Sequence, residues 1–314
     1  MSDEARDREN AGDIEVSVIV VTHGAREMTL GCLTSLAAAA DEIRNEVIVV
    51  DNASRGALAA EIASAYPDFR VLPQVANLGF AAAANLGADS ARGRYLLFLN
   101  PDTVVGRDIV VRLVEFAGRN PNAGPVGART VFANGEPNPT CCRRKPTVWR
   151  LLCSGLGLET RFPHSRVLGG MGYVRLPNTG AFAADILSGV CLLVQRSLWD
   201  RLGGFSPAFF MYGEDDDLSL RARRIGYTPT LALDAAIVHH GSGTETDQIR
   251  KLCQILAARS LIVRSTFARP ARRIGQALLV LRPLLGSHFA KRELRPFWRA
   301  VWAKRSNWLS GRFA

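Results

Sequence analysis

Residues 16–21 read VSVIVV, residues 47–50 read VIVV and residues 95–99 read YLLFL, three short and almost wholly apolar runs. A strand covered on both faces of a sheet carries such a run, whereas a strand with one wet face alternates apolar and polar residues. Between the runs, Ala25–Ala40 and Gly56–Ala65 are rich enough in Ala and Leu, and long enough, to be crossover helices. This order predicts βαβ units and a parallel sheet. Val71–Pro73 adds a short strand and Gly79–Ser90 another helix before the third run. From Gly135 to Asp185 the periodicity gives way to Pro, Gly and Arg with scattered Trp149, Phe162 and Tyr173, the pattern of a functional loop. Gly189–Val194 predicts a strand, Arg196–Leu202 a helix stopped by Gly203 and Gly204, Glu214–Ile225 a helix closed by Gly226, and Ala235–Val238 a last short strand.

A chain of 314 residues, 47% of them apolar, can bury a full core. Its formal charge of +10 sits entirely from Arg269 onward, since residues 269–314 hold eleven Lys and Arg against the single acid Glu293. The balanced body argues against nucleic acid as substrate, because a nucleic-acid enzyme spreads positive charge over its main domain. The opening MSDEARDREN is acidic, the reverse of a signal peptide, and residues 1–13 are expected to be a disordered lead. The longest apolar run, Ala277–Leu285, is interrupted by Arg282 and Pro283, so no membrane-spanning helix is expected. Six cysteines, with Cys141 and Cys142 adjacent, show neither CxxC nor zinc spacing and read as reduced thiols.

In open α/β sheets ligands bind beyond the carboxyl ends of the strands. Here the first run ends in Thr22-His23-Gly24, the second in Asp51-Asn52-Ala53-Ser54 and the third in Asn100-Pro101-Asp102-Thr103. Any one of these groups could be a helix cap; three on one sheet edge point to a site. No GxGxxG and no GxxxxGK[ST] is present, so a diphosphate needs another holder, and Asp102 is placed to bind a divalent cation that bridges it. Glu214-Asp215-Asp216-Asp217 open a helix. Acids there favour the helix dipole, and Asp217 can pair with Arg221, yet four crowded carboxylates exceed what the dipole calls for and suit one of them to act as general base. His239 and His240 follow an apolar strand end and are candidate metal contacts.

VSVIVVTHG, VIVVDNAS, ANLGFAAAANLG, YLLFLNPDT, SGVCLLVQR, GGFSPAFFMYGEDDDLSLRARRIGY and IVHHGSGT, in this order, resemble the inverting glycosyltransferases of family 2, in particular their bacterial rhamnosyltransferase-like branch. The resemblance covers residues 14–246. It implies the α/β fold called GT-A, a mixed, mostly parallel sheet flanked by helices, with a nucleotide-sugar half over 14–134, an acceptor half over 135–246 containing the loop 135–185, and a basic helical extension over 247–314. It also implies metal at Asp102, a catalytic base at Asp215 with Glu214 as its partner, and a histidine near the metal at His239, a role that His240 could take instead. Thr22, Asp51, Asn77 and Gly79 match donor-binding positions. Asn100 stands where many members carry an Asp, and His23 where a Tyr or Phe is frequent. The implied cofactor is Mg2+ or Mn2+. The implied donor is a nucleotide-diphosphate sugar, first of all deoxythymidine-diphosphate rhamnose, and the acceptor a glycan or polyprenyl-linked glycan of the cell envelope, at the cytoplasmic face of the membrane. Two other classes stay open. A nucleotidyltransferase should show a Gly-rich basic loop after the first strand, and a non-catalytic sugar- or nucleotide-binding module has no use for clustered acids.

The tail, 269–314, interleaves its basic residues with Phe289, Phe297, Trp298, Trp302 and Trp308. It fits an interfacial helix on anionic lipid, the reading preferred here because the family that the chain resembles often uses polyprenyl-linked acceptors, ahead of an amphipathic helix docked on the domain. Trp298 and Trp302 are expected on one helical face, and Lys291 and Arg295 on another.

Overall fold

The structure, a computed structural model, describes residues 14–39, 43–173, 175–241 and 247–311. The acidic lead and Ser242, Gly243 and Thr244 lie outside the described residues.

The predicted βαβ units form as read. β1 (Val16–Thr22), α1 (Arg26–Ala37), β2 (Asn45–Asp51), α2 (Leu58–Ala65), β3 (Arg70–Pro73), α3 (Phe80–Ser90) and β4 (Tyr95–Leu99) follow in order. β1 pairs in parallel with both β2 and β4, and β2 with β3. Every residue of β1 and of β4 is buried, which is why their sequences do not alternate. Val18, Val20, Leu97 and Leu99 face one layer with Leu33, Leu36 and Ile62 of α1 and α2. Ile19, Val21, Leu96 and Phe98 face the other with the alanines of α3.

The chain continues with β5 (Thr103–Val104), α4 (Ile109–Arg119), β6 (Ala123–Val131), β7 (Pro137–Asn138), β8 (Cys142–Arg143), α5 (Val148–Gly155), α6 (Leu158–Arg161), β9 (Ala181–Ala183) and β10 (Ile186–Leu187). The stretch 135–185, expected as an irregular loop, therefore holds short helices and strands. α5 starts where the Thr147 hydroxyl accepts the Arg150 N–H at 3.2 Å, a cap that compensates for its short length. β11 (Cys191–Gln195), α7 (Arg196–Leu202), α8 (Glu214–Arg224) and β12 (Thr228–His239) complete the sheet and its flanking helices. β12 is far longer than the predicted Ala235–Val238. It bends at a register shift between Ala232 and Ala236, where Asp234 accepts the Gly180 N–H.

Among the described residues one sheet runs β3-β2-β1-β4-β11-β6-β12-β5, with β7 on β6 and β9 on β12; β8 and β10 form a separate pair. β11 runs antiparallel to both β4 and β6, so the sheet is mixed. The last part is helical: α9 (Gln248–Thr266), α10 (Arg269–Phe289), α11 (Arg295–Ala303) and α12 (Arg305–Ser310). These helices bury their own cluster with α5, built from Leu151, Leu256, Leu279, Val301 and Trp308. The tail thus packs on the domain. Trp298 and Trp302 share α11, one turn apart, as expected, but Lys291 precedes a separate 3-10 turn (Arg292–Leu294) and does not share a helix with Arg295. Among the described residues no helix is long and apolar enough to cross a membrane, and all six cysteines are buried and free of disulfides.

Candidate active site

Among the described residues a cleft of about 480 Å³ opens where β1, β2 and β4 end. His23, Asn52, Asn77, Asn100 and Asp102 line it from the part of the chain that ends at β4 and β5, and Arg143, Glu214, Asp215, His239 and Lys251 from later parts.

The strand-end residues are held by their surroundings. His23 Nδ1 lies 2.7 Å from the Asn52 carbonyl oxygen, so that nitrogen carries the proton. The Asn52 amide donates to Asn77 Oδ1 at 3.0 Å and its oxygen accepts the Leu78 N–H at 2.8 Å, which fixes the 77–79 loop. Gly79 adopts φ +80°, and a Cβ there would overlap the Phe210 carbonyl oxygen, which itself accepts the Phe80 N–H at 2.7 Å. Only glycine meets both demands. Gly79, Thr22 and Asp51 are not part of the lining. The Thr22 hydroxyl is buried 2.7 Å from that of Thr29, and Asp51 Oδ1 accepts the Ser54 N–H at 2.9 Å.

Asp102 and His239 meet: Nε2 of the imidazole is 3.2 Å from Asp102 Oδ2. On the far side of the ring, Asn138 Nδ2 lies 3.5 Å from Nδ1, while Asn138 Oδ1 accepts from Thr140. That orientation makes Nδ1 the acceptor and places the proton on Nε2, facing Asp102. His240 is exposed and absent from the lining; its contribution is a backbone N–H donated to the Asp102 carbonyl at 3.0 Å. Of the two histidines, the structure therefore brings only His239 to Asp102.

The acids arrive on α8. Tyr212 (φ +65°) and Gly213 (φ +85°) take two successive left-handed conformations, a turn that aims the first residues of α8 into the cleft. Asp217 pairs with Arg221 at 2.6 Å and is structural, as its spacing predicted. Asp215 is gripped from several sides: Oδ2 accepts the Gly189 N–H at 2.9 Å, Oδ1 accepts the Asp216 N–H at 2.8 Å, and Arg143 Nη2 reaches both oxygens at 3.0 and 3.1 Å. Arg143 Nε also donates to Asp216 at 2.6 Å. Burial disfavours charge on Arg143, but Asp216 and Asp215 outweigh it and hold the guanidinium protonated. Asp216 is lifted to about 6 by burial against the pull of Arg143. Glu214, buried with no hydrogen-bond partner on Oε2, is pushed up to about 8, first by burial and then by the charges of Asp215 and Asp216.

A raised carboxyl pKa sets the sign of a stability effect. Between the ordinary value of 4.5 and about 8, the native protein holds a proton on Glu214 that the unfolded chain releases. Its contribution is complete below pH 4.5 and is lost as pH rises through about 8. Glu214→Gln cannot ionise, so its melting temperature should exceed that of the unsubstituted protein by a margin that grows from about pH 5 to about pH 9, worth on the order of a few kcal/mol. A margin independent of pH would show that Glu214 ionises normally.

Arg143, Asn138 and Lys251 escape the sequence reading. Arg143 and Asn138 lie in the aperiodic 135–185 stretch, and nothing local to Lys251 marks it.

Comparison with known proteins shows the family. The glycosyl transferase family 2 model matches residues 17–168. The N-acetylglucosaminyl-diphospho-decaprenol L-rhamnosyltransferase of Mycobacterium tuberculosis is 30% identical over 244 residues, covering 71% of this chain and 75% of that protein. The chain belongs to glycosyltransferase family 2. Another relative of this family 2 chain, the low-salt glycan biosynthesis hexosyltransferase Agl10 of Haloferax volcanii, is 23% identical over 214 residues, 67% of this chain and 62% of that protein. Two solved structures share the fold. One is mannosyltransferase PcManGT from Pyrobaculum calidifontis in complex with GDP-Man and Mn2+ (TM-score 0.55, 20% identity, 94% of this chain and 75% of that one). The other is S. aureus TarS 1-349 in complex with UDP-GlcNAc (TM-score 0.55, 16% identity, 94% and 82%). The family 2 chain is therefore a glycosyltransferase with the GT-A architecture that its sequence implied.

A cation site has to be built from what the cleft holds. Among the described residues no group of three or more His, Cys, Asp and Glu comes together in a way that could hold a metal ion. Asp102 supplies one oxygen and His239 Nε2, once it gives up its proton, one nitrogen, a set that fits an ion taking its remaining ligands from substrate phosphates and water.

Proposed function

We propose that this family 2 enzyme transfers a sugar, L-rhamnose from deoxythymidine-diphosphate rhamnose before any other, with inversion, to a hydroxyl of a glycan or polyprenyl-linked glycan in cell-envelope polysaccharide synthesis. The observation that carries the reading is that Asp102 and Asp215, 113 positions apart in sequence numbering, line one cleft. The rhamnosyltransferase relative, whose named acceptor is a lipid diphosphate, supports the choice of donor and acceptor. Residues 14–134 are assigned to the donor and 135–246 to the acceptor.

In this reading Asp215 accepts the proton of the acceptor hydroxyl as its oxygen attacks the anomeric carbon from the face opposite the leaving diphosphate. Gly189 N–H and Arg143 hold the carboxylate in one orientation for that task. Glu214, held protonated at neutral pH by burial and by the charges of Asp215 and Asp216, is the neutral partner of Asp215. His23, Asn77 and Asn100 contact the donor, with Thr22, Asp51 and Gly79 supporting them from behind. Asp102 and His239 would hold Mg2+ or Mn2+, whose charge, when bound, offsets that of the diphosphate.

A panel of nucleotide sugars, scored by thermal shift with Mg2+ or Mn2+, tests the proposal. One nucleoside-diphosphate sugar should raise the melting temperature by several degrees, and the same ligand should lose its metal-dependent shift on Asp102→Asn. Silence across the panel would sink it.

We also assign the enzyme to the inner face of the cell membrane as a peripheral protein. Support comes from the end of α10 and the turn after it: Phe289 is 79% exposed and Leu294 50%, and between them lie the exposed Lys291 and Arg292 with one acid, Glu293. Apolar tips beside cations suit an anionic bilayer. Because the tail helices cover Leu151 and Leu256, surface substitutions test this better than truncation. Phe289→Ser with Lys291→Glu and Arg292→Glu should cut sedimentation with anionic vesicles at least about tenfold, since each lysine or arginine near such a surface contributes roughly 1 kcal/mol. Undiminished sedimentation would remove the turn from the interface.

A further inference from the structure

We propose that Lys251 binds a phosphate oxygen of a substrate, which makes α9 a working wall of the active site. The inference rests on the transferase reading and extends it to a helix beyond the region of family resemblance.

The cations among the described residues of the lining are Arg143 and Lys251. Arg143 is engaged by Asp215 and Asp216. Lys251 makes no ion pair and no side-chain hydrogen bond among the described residues, although Asp102, Glu214 and Asp215 line the same cleft. An ammonium group offers three donors and no acceptor, and one facing a cleft built for an anionic ligand is a natural counter-charge for phosphate.

The lysine is also well anchored. It lies one turn into α9, where its N–H bonds the Asp247 carbonyl at 2.9 Å. Asp247 caps that helix by accepting the Ile249 and Arg250 N–H groups at 2.9 and 3.1 Å. Below it Cys253, Leu256 and Ala257 are buried, and Ala258 packs on Gly213, the residue that introduces the acids. So firmly seated a helix fixes the point from which the flexible lysine stem reaches into the cleft. Phosphate could come from the donor's diphosphate or from a diphosphate-linked acceptor, and the chemistry at Lys251 is the same.

Calorimetry with thymidine, uridine and guanosine diphosphates, each against its nucleoside, reads the donor source in unsubstituted protein, Lys251→Ala and Lys251→Arg. If Lys251 meets the donor, Lys251→Ala weakens nucleoside diphosphate binding about ten- to a hundredfold, leaves nucleoside binding unchanged, and is largely rescued by Lys251→Arg. If it meets the acceptor, diphosphate affinity holds, and KM rises by a similar factor for a polyprenyl-diphosphate-linked sugar but not for the same sugar on an uncharged alkyl chain. The melting temperature stays level in either case. Lys251→Ala that leaves both measurements unchanged overturns the proposal, whereas failure of the unsubstituted protein to bind any of the diphosphates overturns the transferase reading itself.

Discussion

Asp215→Asn is expected to lower turnover by about 10²–10⁴-fold, the usual contribution of a positioned general base, with donor affinity retained. The substitution is nearly isosteric but not innocent. Gly189 N–H, Asp216 N–H and Arg143 all donate to the carboxylate, so the new NH2 group must face a donor whichever way the amide turns. A stability loss of roughly 1–3 kcal/mol should accompany the loss of rate. Donor binding by calorimetry separates the two effects, because a folded protein that binds but does not turn over has lost the base alone. Turnover within a few fold of normal would move the base elsewhere, and Glu214 would be the carboxylate left to carry it.

The second large effect belongs to Arg143, which holds Asp215 and Asp216 together. Arg143→Met leaves these acids and Glu214 crowded without their counter-charge. Removing one partner of a buried pair costs about 3–5 kcal/mol, and the lower end applies because the Arg143 side chain is 32% exposed. The melting temperature should fall by roughly 5 °C or more. Turnover should fall too, with a distinctive signature. Without the guanidinium, the carboxylates bind protons more tightly, and the acidic limb of the pH–rate profile moves to higher pH. A variant that melts normally and keeps its profile would show that the ion pair does not form in solution.

Arg143 also shows where the sequence ceases to be readable. The three apolar runs announced the sheet because burial on both faces leaves a composition that nothing else explains. Glu214 to Asp217 announced themselves because four adjacent acids conflict with ordinary helix chemistry. Arg143 conflicts with nothing local: it is one arginine among several in an aperiodic stretch, and its meaning comes from acids more than seventy positions away. Lys251 is hidden for the same reason, as an ordinary helical lysine until α9 is folded against α8. The histidine pair needed coordinates as well, since β12 ends at His239, whose ring lines the cleft beside Asp102, while His240 just beyond it is exposed. Where α5 and β12 were missed or shortened, local signals misled. Pro229 and Asp234 look like turn residues, yet the sheet absorbs them at an end and at a bulge.

The Phe210 carbonyl has a mechanical consequence. It receives the Phe80 N–H and lies against Gly79, while three residues further on the chain turns into α8. The loop beside the donor and the start of the acid-bearing helix are thereby riveted at one point. A ligand seated at Asn77 therefore rests against the same stretch of backbone that introduces Tyr212 and the carboxylates, so the two walls of the cleft keep a fixed spacing at that point.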